Sequence, residues 1–579
     1  MLHLCTLMTA ALLAAPEAGA DQLRVTGIRA EHRHGQTFVT WKDVADGEAG
    51  SGYRYSLYRS DQPITADNLD QAELCYHGVL NNSATQFGHS FMMKDRLDET
   101  KPRFVLKEGG EPLPMWSGVA VRTAKQEGES YYAVVATDAK WETKLSPIVP
   151  GESATTEPVN EKVAPLQPIK IGDSKSRSQY AGSTYISGEE GLPLHLSLHG
   201  SQATGGAAAA WGDLYIYFGT PEMGWRDGLP GIFSVSEGHG KDNRHLTLVI
   251  RDAIENPRGD RPIETCWFGY YCVPFGAEHT EPRAYPFTEN RVAWIVEWVK
   301  DRYQADPHRV YSSGQSMGGM GSTQFSFRQP ETFAAVYPRL GRVRQSWLPS
   351  VGLDLPASIH KASWKEPVPM YDGKSDYFLD RMDSVKWVRE HHEDLPFYGW
   401  CFGRTDYVAP WQDQIDMVDA LTANKHGFAF SWNNHGHSSE GAASMAAINK
   451  YYPASKFALD RSYPAFGHSS IDSDLGNGDA KVGDLVGGVN LGFDWSDVVD
   501  EADRWSIKLS NALCEADMTV DVTPRRAQKF QAKPGDKFRW TNSAGGEGTV
   551  TADQWGLVTI AKATIQPGEA TTLTISRER

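Results

Sequence analysis

Hydrophobic and polar positions change rhythm three times along the chain. Between residues 21 and 150, apolar positions fall in short aromatic and β-branched runs: Phe38-Val39-Thr40-Trp41, Tyr53 to Tyr58, and Tyr131 to Ala136. Polar, Gly-rich stretches such as 46–52 separate them. That pattern predicts the strands of a β-sandwich. From 180 to 459 the rhythm is mixed. Leu194, Leu196 and Leu198 alternate into His199-Gly200, and 245–250 reads as a second strand. Val292, Ile295, Val296, Val299 and Tyr303 recur at helical spacing, which predicts a helix over 289–303 with one buried stripe. Arg309-Val310-Tyr311 opens a short buried strand, and 395–400 and 428–432 read as late strands. Strands alternating with helices predict an α/β architecture, a doubly wound, mostly parallel sheet with helices on both faces. Beyond 460 strand-like alternation returns at 518–522 and 556–560, predicting a C-terminal β-sandwich over 460–579 as an accessory domain for packing and stability. Residues 151–179 carry Pro158, Pro165 and Pro168 among Ser, Thr and Glu and read as a linker.

Length agrees with several domains, since 579 residues exceed what one ordinary core organises. A net charge of −16 excludes nucleic acid and polybasic membrane contact as partners. No stretch after the N-terminus is long and apolar enough to span a bilayer. Residues 1–20 contain a short apolar run around Ala10 to Ala15 and end in Ala18-Gly19-Ala20, the small residues of a cleaved signal peptide, although the n-region lacks Lys and Arg. The expected location is therefore secreted or periplasmic. Cleavage would remove Cys5 and leave five cysteines, so at least one thiol stays unpaired. Cys266 and Cys272 are the close pair and a candidate disulfide, with two buried thiols as the alternative.

The chemistry concentrates at Gly314-Gln315-Ser316-Met317-Gly318-Gly319. A predicted helix, then Asp306-Pro307, then a short strand precede it, and small residues with a helix-like run follow. That is the setting of a nucleophile elbow, where a sharp strand-to-helix turn projects the serine hydroxyl above a sheet. A serine hydroxyl needs a base, and the base needs an orienting carboxylate. Asp406 follows the late strand ending at Trp400. His435 and His437 follow the next, ending at Trp432. Asp376 is a rival acid in similar surroundings. The two histidines could instead chelate a metal, but no carboxylate-rich motif accompanies them, so no metal is expected. Of the two, His437 is the expected base, because Gly436 lets the loop bend back over the serine; His435 is the alternative base. Two backbone donors are expected for an oxyanion hole: the N–H of Met317 and, after His199-Gly200, that of Ser201. Asp472, Asp474, Gly476 and Gly478 hint at a calcium loop, but Gly483 stands at its twelfth position and the pattern fails. Trp225, Trp267, Tyr270 and Tyr271 could stack on a sugar or aromatic acyl group, though such density more often builds core.

Two resemblances follow. Residues 23–148, with Trp41 on an early strand and Tyr131-Tyr132 opening a late one, resemble a fibronectin type III domain, which implies a sandwich that presents rather than catalyses. The stretch from Asp306 to Gly319, with Phe333-Ala334-Ala335-Val336 after it, resembles the extracellular polyhydroxybutyrate depolymerase and feruloyl or acetyl-xylan esterase group, and is also similar to prolyl-oligopeptidase-like catalytic domains. This resemblance covers about 180–455. It implies the α/β-hydrolase fold, no cofactor, and the triad Ser316, Asp406 and His437. Two segments depart from it, 205–240 and 339–394; both read as insertions able to cover the cleft. The expected function is a serine esterase acting on a polysaccharide side-group ester or a polyester. A serine peptidase and an inactive hydrolase-fold binding protein are the alternatives.

Overall fold

The computed structural model describes residues 23–578 apart from 86–102, 108, 140–142, 171–186, 201–213, 219–228, 241–242, 253–264, 268–269, 273–282, 345–367, 370–374 and 377. The expected signal segment, Ser201 and Trp225 lie outside the described residues.

Near the N-terminus two antiparallel sheets face each other. One joins Thr26–Arg33, Gln36–Lys42 and Ser117–Thr123; the other orders Glu73–Leu80, Arg54–Ser60, Gly128–Thr137 and Val159–Glu161. Their inner faces meet through Val39, Trp41, Tyr55, Leu57, Tyr132 and Val134, all buried. Each of the predicted strands is present: two are lengthened at both ends, and the third runs Arg54–Ser60, one residue late at its start and longer at its end.

Among the described residues the central sheet has ten strands. Its middle six are parallel, in the spatial order Phe428–Asn433, Phe397–Gly403, Ala335–Arg339, Val310–Gln315, Leu194–Leu198, Asn243–Ile250. Leu229–Gly240, Leu214–Phe218 and Ile169–Lys170 continue one side antiparallel, and Gly487–Val489 closes the other. Leu194, Leu196 and Leu198 are buried because they share the strand face that packs on the helix below, while His195 and Ser197 on the other face are half-buried. The helix expected from the apolar stripe is Phe287–Arg302, and Val292, Ile295, Val296 and Val299 pack under the sheet. This arrangement is compatible with an α/β-hydrolase core carrying β-rich flanks. From Leu194–Leu198 the chain goes to Asn243–Ile250 on one side and later to Val310–Gln315 on the other. The order of strands therefore reverses there, which makes the carboxyl ends of these strands a topological switch point.

Three expectations change. Residues 205–240 supply two strands of the main sheet, so that segment is not purely an inserted cover. The linker is drawn into structure: Val159–Glu161 pairs with Gly128–Thr137, and Ile169–Lys170 pairs with Leu214–Phe218. Its Glu161 is buried and accepts hydrogen bonds from Thr37 Oγ1 (2.5 Å) and Ser130 Oγ (2.7 Å) as well as the Tyr132 hydroxyl, enough partners to offset its burial. The strand expected at 556–560 begins only at Ile560, because Asp553 closes a turn on the N–H groups of Trp555 and Leu557.

The C-terminal β-structure consists of a three-stranded and a five-stranded sheet. It does not pack on its own. Trp505, Ile507, Val520, Val522 and Leu573 share one continuous apolar cluster with Tyr311, Ala335, Tyr337 and Phe397 of the central sheet. Hydrogen bonds follow the same seam: the Arg526 guanidinium donates to Phe333 O (2.9 Å) and Arg525 to Glu393 O (2.6 Å).

Candidate active site

Ser316 sits between the strand Val310–Gln315 and the helix Met317–Arg328 with φ 57° and ψ −120°. A non-glycine residue there is strained, and such strain is tolerated where the surroundings impose it. Ser316 N donates to Arg339 O (2.9 Å) and Met320 N to Ser316 O (3.0 Å), locking the turn to the next strand and to its own helix. Close approach explains the following glycine: a Cβ on Gly318 would lie 2.1 Å from Leu198 O and 2.7 Å from His199 O. As the first residue of its helix, Met317 has an N–H with no intrahelical acceptor, available to a developing negative charge.

The acid and base loops are stitched together. Arg404 N donates to Asn433 O (2.8 Å) and Thr405 N to His435 O (3.1 Å). The fold thereby brings three of the predicted residues into line. His437 Nε2 is 2.7 Å from Ser316 Oγ, and His437 Nδ1 is 2.6 Å from Asp406 Oδ2. The Asp406 side chain is fully buried and its Oδ1 accepts the Val408 N–H at 2.7 Å. An ionised carboxylate only accepts, so the imidazole proton lies on Nδ1 and Nε2 is left to accept from the serine hydroxyl. Both ring nitrogens of His437 are thus engaged, which argues against a chelating role for it. His435 is exposed, and it serves the loop through its backbone carbonyl. Asp376 lies in the short strand Ser375–Asp376, paired with Val368–Pro369, and its side chain falls outside the described residues. Arg342 is buried nearby; burial pulls its guanidinium below the ordinary value, with Asp406 and Asp413 among the groups acting against that.

His199 has a part that its sequence position did not reveal. Its Nε2 accepts the Asp252 N–H (3.0 Å), so its Nδ1 carries a proton and donates to Gly200 O (2.8 Å). The ring is braced edge-on by Trp267, at 4.9 Å between centroids. Trp267 is therefore core, buried against His199 and not open for stacking. Tyr270 and Tyr271 lie in the strand Tyr270–Cys272, whose side chains fall outside the described residues, as does that of Cys272 and with it the test of the Cys266 pairing. Cys401 and Cys514 are free, buried thiols.

The supposed calcium loop has a different centre. The Arg404 guanidinium occupies the space enclosed by its carbonyls, bonding Leu475, Ala480, Val482 and Asp484. No helix among the described residues is long and apolar enough to cross a membrane.

No family model matches the chain. No curated protein matches it. Among solved structures it is similar to a ferulic acid esterase (16% identity, 46% of this chain and 84% of that chain, TM-score 0.27). It is also similar to an S-formylglutathione hydrolase from Agrobacterium tumefaciens (14%, 45% and 83%, TM-score 0.30) and to the S-formylglutathione hydrolase FrmB of Staphylococcus aureus (14%, 49% and 91%, TM-score 0.29). Overlap at these scores is slight, and the chemistry of the site is read from its own geometry.

Proposed function

We propose that this chain is a secreted serine hydrolase that cleaves a carboxylic ester, a polysaccharide side group or a polyester, through an acyl-enzyme. One observation carries the reading: the unbroken hydrogen-bonded line from Ser316 through His437 to Asp406, at the strained turn beside the switch point. In this mechanism His437 Nε2 takes the Ser316 proton as Oγ attacks the acyl carbon. Asp406 stabilises the imidazolium that forms. The oxyanion is met by the Met317 N–H and by a second donor, for which Ser201 remains the expectation from sequence. The imidazolium then returns its proton to the leaving alcohol. Water, activated by the same imidazole, releases the acid and restores Ser316. Export is supported by the small residues Ala18-Gly19-Ala20 at the end of an apolar run.

The test is a panel of short-chain nitrophenyl, feruloyl and acetyl-sugar esters beside peptide amides, run on wild type and Ser316→Ala. Ester turnover should fall by about 10^6-fold in the variant, the scale of losing a triad nucleophile. A fluorophosphonate should label wild type at Ser316. Near-wild-type turnover in Ser316→Ala would remove the assignment, and amide cleavage outrunning ester cleavage would make the enzyme a peptidase.

A further inference from the structure

Arg404 lies two residues before Asp406, and its side chain turns away from solvent into a loop supplied by the C-terminal β-structure. Only 1% of the residue is exposed. Its Nε donates to Ala480 O (2.7 Å), Nη1 to Asp484 O (2.6 Å), and Nη2 to Leu475 O (3.3 Å) and to Val482 O. The guanidinium carbon lies over the Trp411 ring, 4.6 Å from its centroid. Two indoles reinforce the grip: Trp411 Nε1 donates to Leu475 O (2.9 Å), and Trp432 Nε1 donates to Asp484 O (2.8 Å). Trp411 begins the helix after the acid loop, and Trp432 lies in the strand that leads to the base loop. The loop is shaped for this contact. Gly476 has φ +75°, and a Cβ there would lie 1.8 Å from Val482 O and 3.2 Å from Arg404 Nη2.

We propose that Arg404 is a positioning residue for Asp406: by gripping loop 475–484 it fixes the acid loop where Asp406 meets His437, so the C-terminal β-structure completes the catalytic unit. This rests on the serine-hydrolase reading above. A buried charge is a costly way to hold a loop, since burial itself disfavours the guanidinium, with Asp474, Asp484 and Asp479 offsetting it. What the planar fork adds over an apolar side chain is orientation, because several fixed donors must all find acceptors at once. The backbone carries that orientation onward. Arg404 N is held by Asn433 O, and Asp406 N donates to Gly403 O at 2.9 Å, so the anchor and the carboxylate belong to one tight turn.

The experiment uses the full chain and p-nitrophenyl acetate, measuring kcat and KM from pH 5 to 9 together with the melting temperature. The variants are Arg404→Lys, Gly476→Ala and a control, Arg525→Lys. Gly476→Ala displaces Val482 O and crowds Nη2 while leaving the arginine side chain chemically intact. Arg525 is also buried and bonded to carbonyls, at His392 and Glu393, but on the seam away from the triad. Arg404→Lys and Gly476→Ala should each lower kcat by about 10- to 100-fold, the upper figure being the scale of an ångström-level misplacement, with KM nearly unchanged. In both, the acid limb of the profile should move to lower pH, because the imidazolium loses part of its neighbouring carboxylate. Arg525→Lys should lower the melting temperature and leave kcat and the acid limb in place. Wild-type kcat and acid limb in both the Arg404 and Gly476 variants would overturn the inference alone. A wild-type protein without turnover on any ester would overturn the hydrolase reading and the inference with it.

Discussion

Replacing Asp406 by asparagine changes one charge and almost no volume, which makes it the sharpest probe of the proposed relay. The two carboxylate oxygens have separate duties: Oδ1 accepts the Val408 N–H at 2.7 Å, and Oδ2 accepts His437 Nδ1 at 2.6 Å. A backbone N–H can only donate, so in the Asp406→Asn variant the amide oxygen must stay with Val408. The amide NH2 group then faces Nδ1. Two donors cannot share that contact, and the imidazole has to move its proton to Nε2, the nitrogen 2.7 Å from Ser316 Oγ. The base is then blocked where it must accept. In a serine protease triad the same tautomer reversal costs about 10^4-fold in kcat, close to about 5.4 kcal/mol of transition-state stabilisation. The fold should barely notice, because the side chain is isosteric and the Val408 bond survives. The assay is steady-state hydrolysis of p-nitrophenyl acetate by wild type and Asp406→Asn at matched melting temperature. A loss smaller than about 10-fold in a well-folded variant would show that Asp406 does not orient the base.

Two further outcomes concern titratable groups. His437→Ala should fall to the turnover of Ser316→Ala, while His435→Ala, which removes an exposed ring, should keep measurable ester hydrolysis; the reverse ranking would transfer the role of base to His435. Burial pushes the Asp472 carboxyl up to about 7, against a little under 4 in an unfolded chain. Its ionisation therefore destabilises the fold progressively as pH rises from about 4 to 7, with a cost on the order of a few kcal/mol above that window. Asp472→Asn keeps an acceptor for the Asn490 N–H (2.7 Å to Oδ1) and should melt higher than wild type at pH 8 with no gain at pH 4. An equal shift at both values would refute this sign.

Much of the central sheet was legible because burial leaves period in the sequence. Leu194, Leu196 and Leu198 announce their strand, and the stripe from Val292 to Val299 announces its helix. The meeting of the three candidate residues was legible through order, since Ser316, Asp406 and His437 each follow a recognisable strand. Leu214-Tyr-Ile-Tyr-Phe218 was harder to place in the main sheet, because an unbroken apolar run set among glycines carries no period of its own. Glu161 hid the linker's order, since a charged residue in a Pro-rich stretch reads as solvated until its buried partners are known. Arg404 was invisible for another reason. Its acceptors are main-chain carbonyls more than 70 positions away, and a carbonyl leaves no trace in residue identity. The seam between the central sheet and the C-terminal strands was hidden likewise, because alternation reveals that a strand has a buried face but not what covers it.

The short strands at the two margins of the ten-stranded sheet bear on how its edges meet water. Ile169–Lys170 covers one margin and Gly487–Val489 the other, and both come from outside the segment that holds Ser316, Asp406 and His437. Each satisfies part of a row of amide and carbonyl groups that would otherwise face water on Leu214–Phe218 and Phe428–Asn433. An open row of that kind recruits strands from other chains. A fragment trimmed to residues 180–459 would keep every group of the relay yet expose both rows, and would stick to its own copies in the test tube. The flanking sequence thus covers part of both margins with two very short strands, Ile169–Lys170 and Gly487–Val489, the kind of cover that blunts strand pairing between chains.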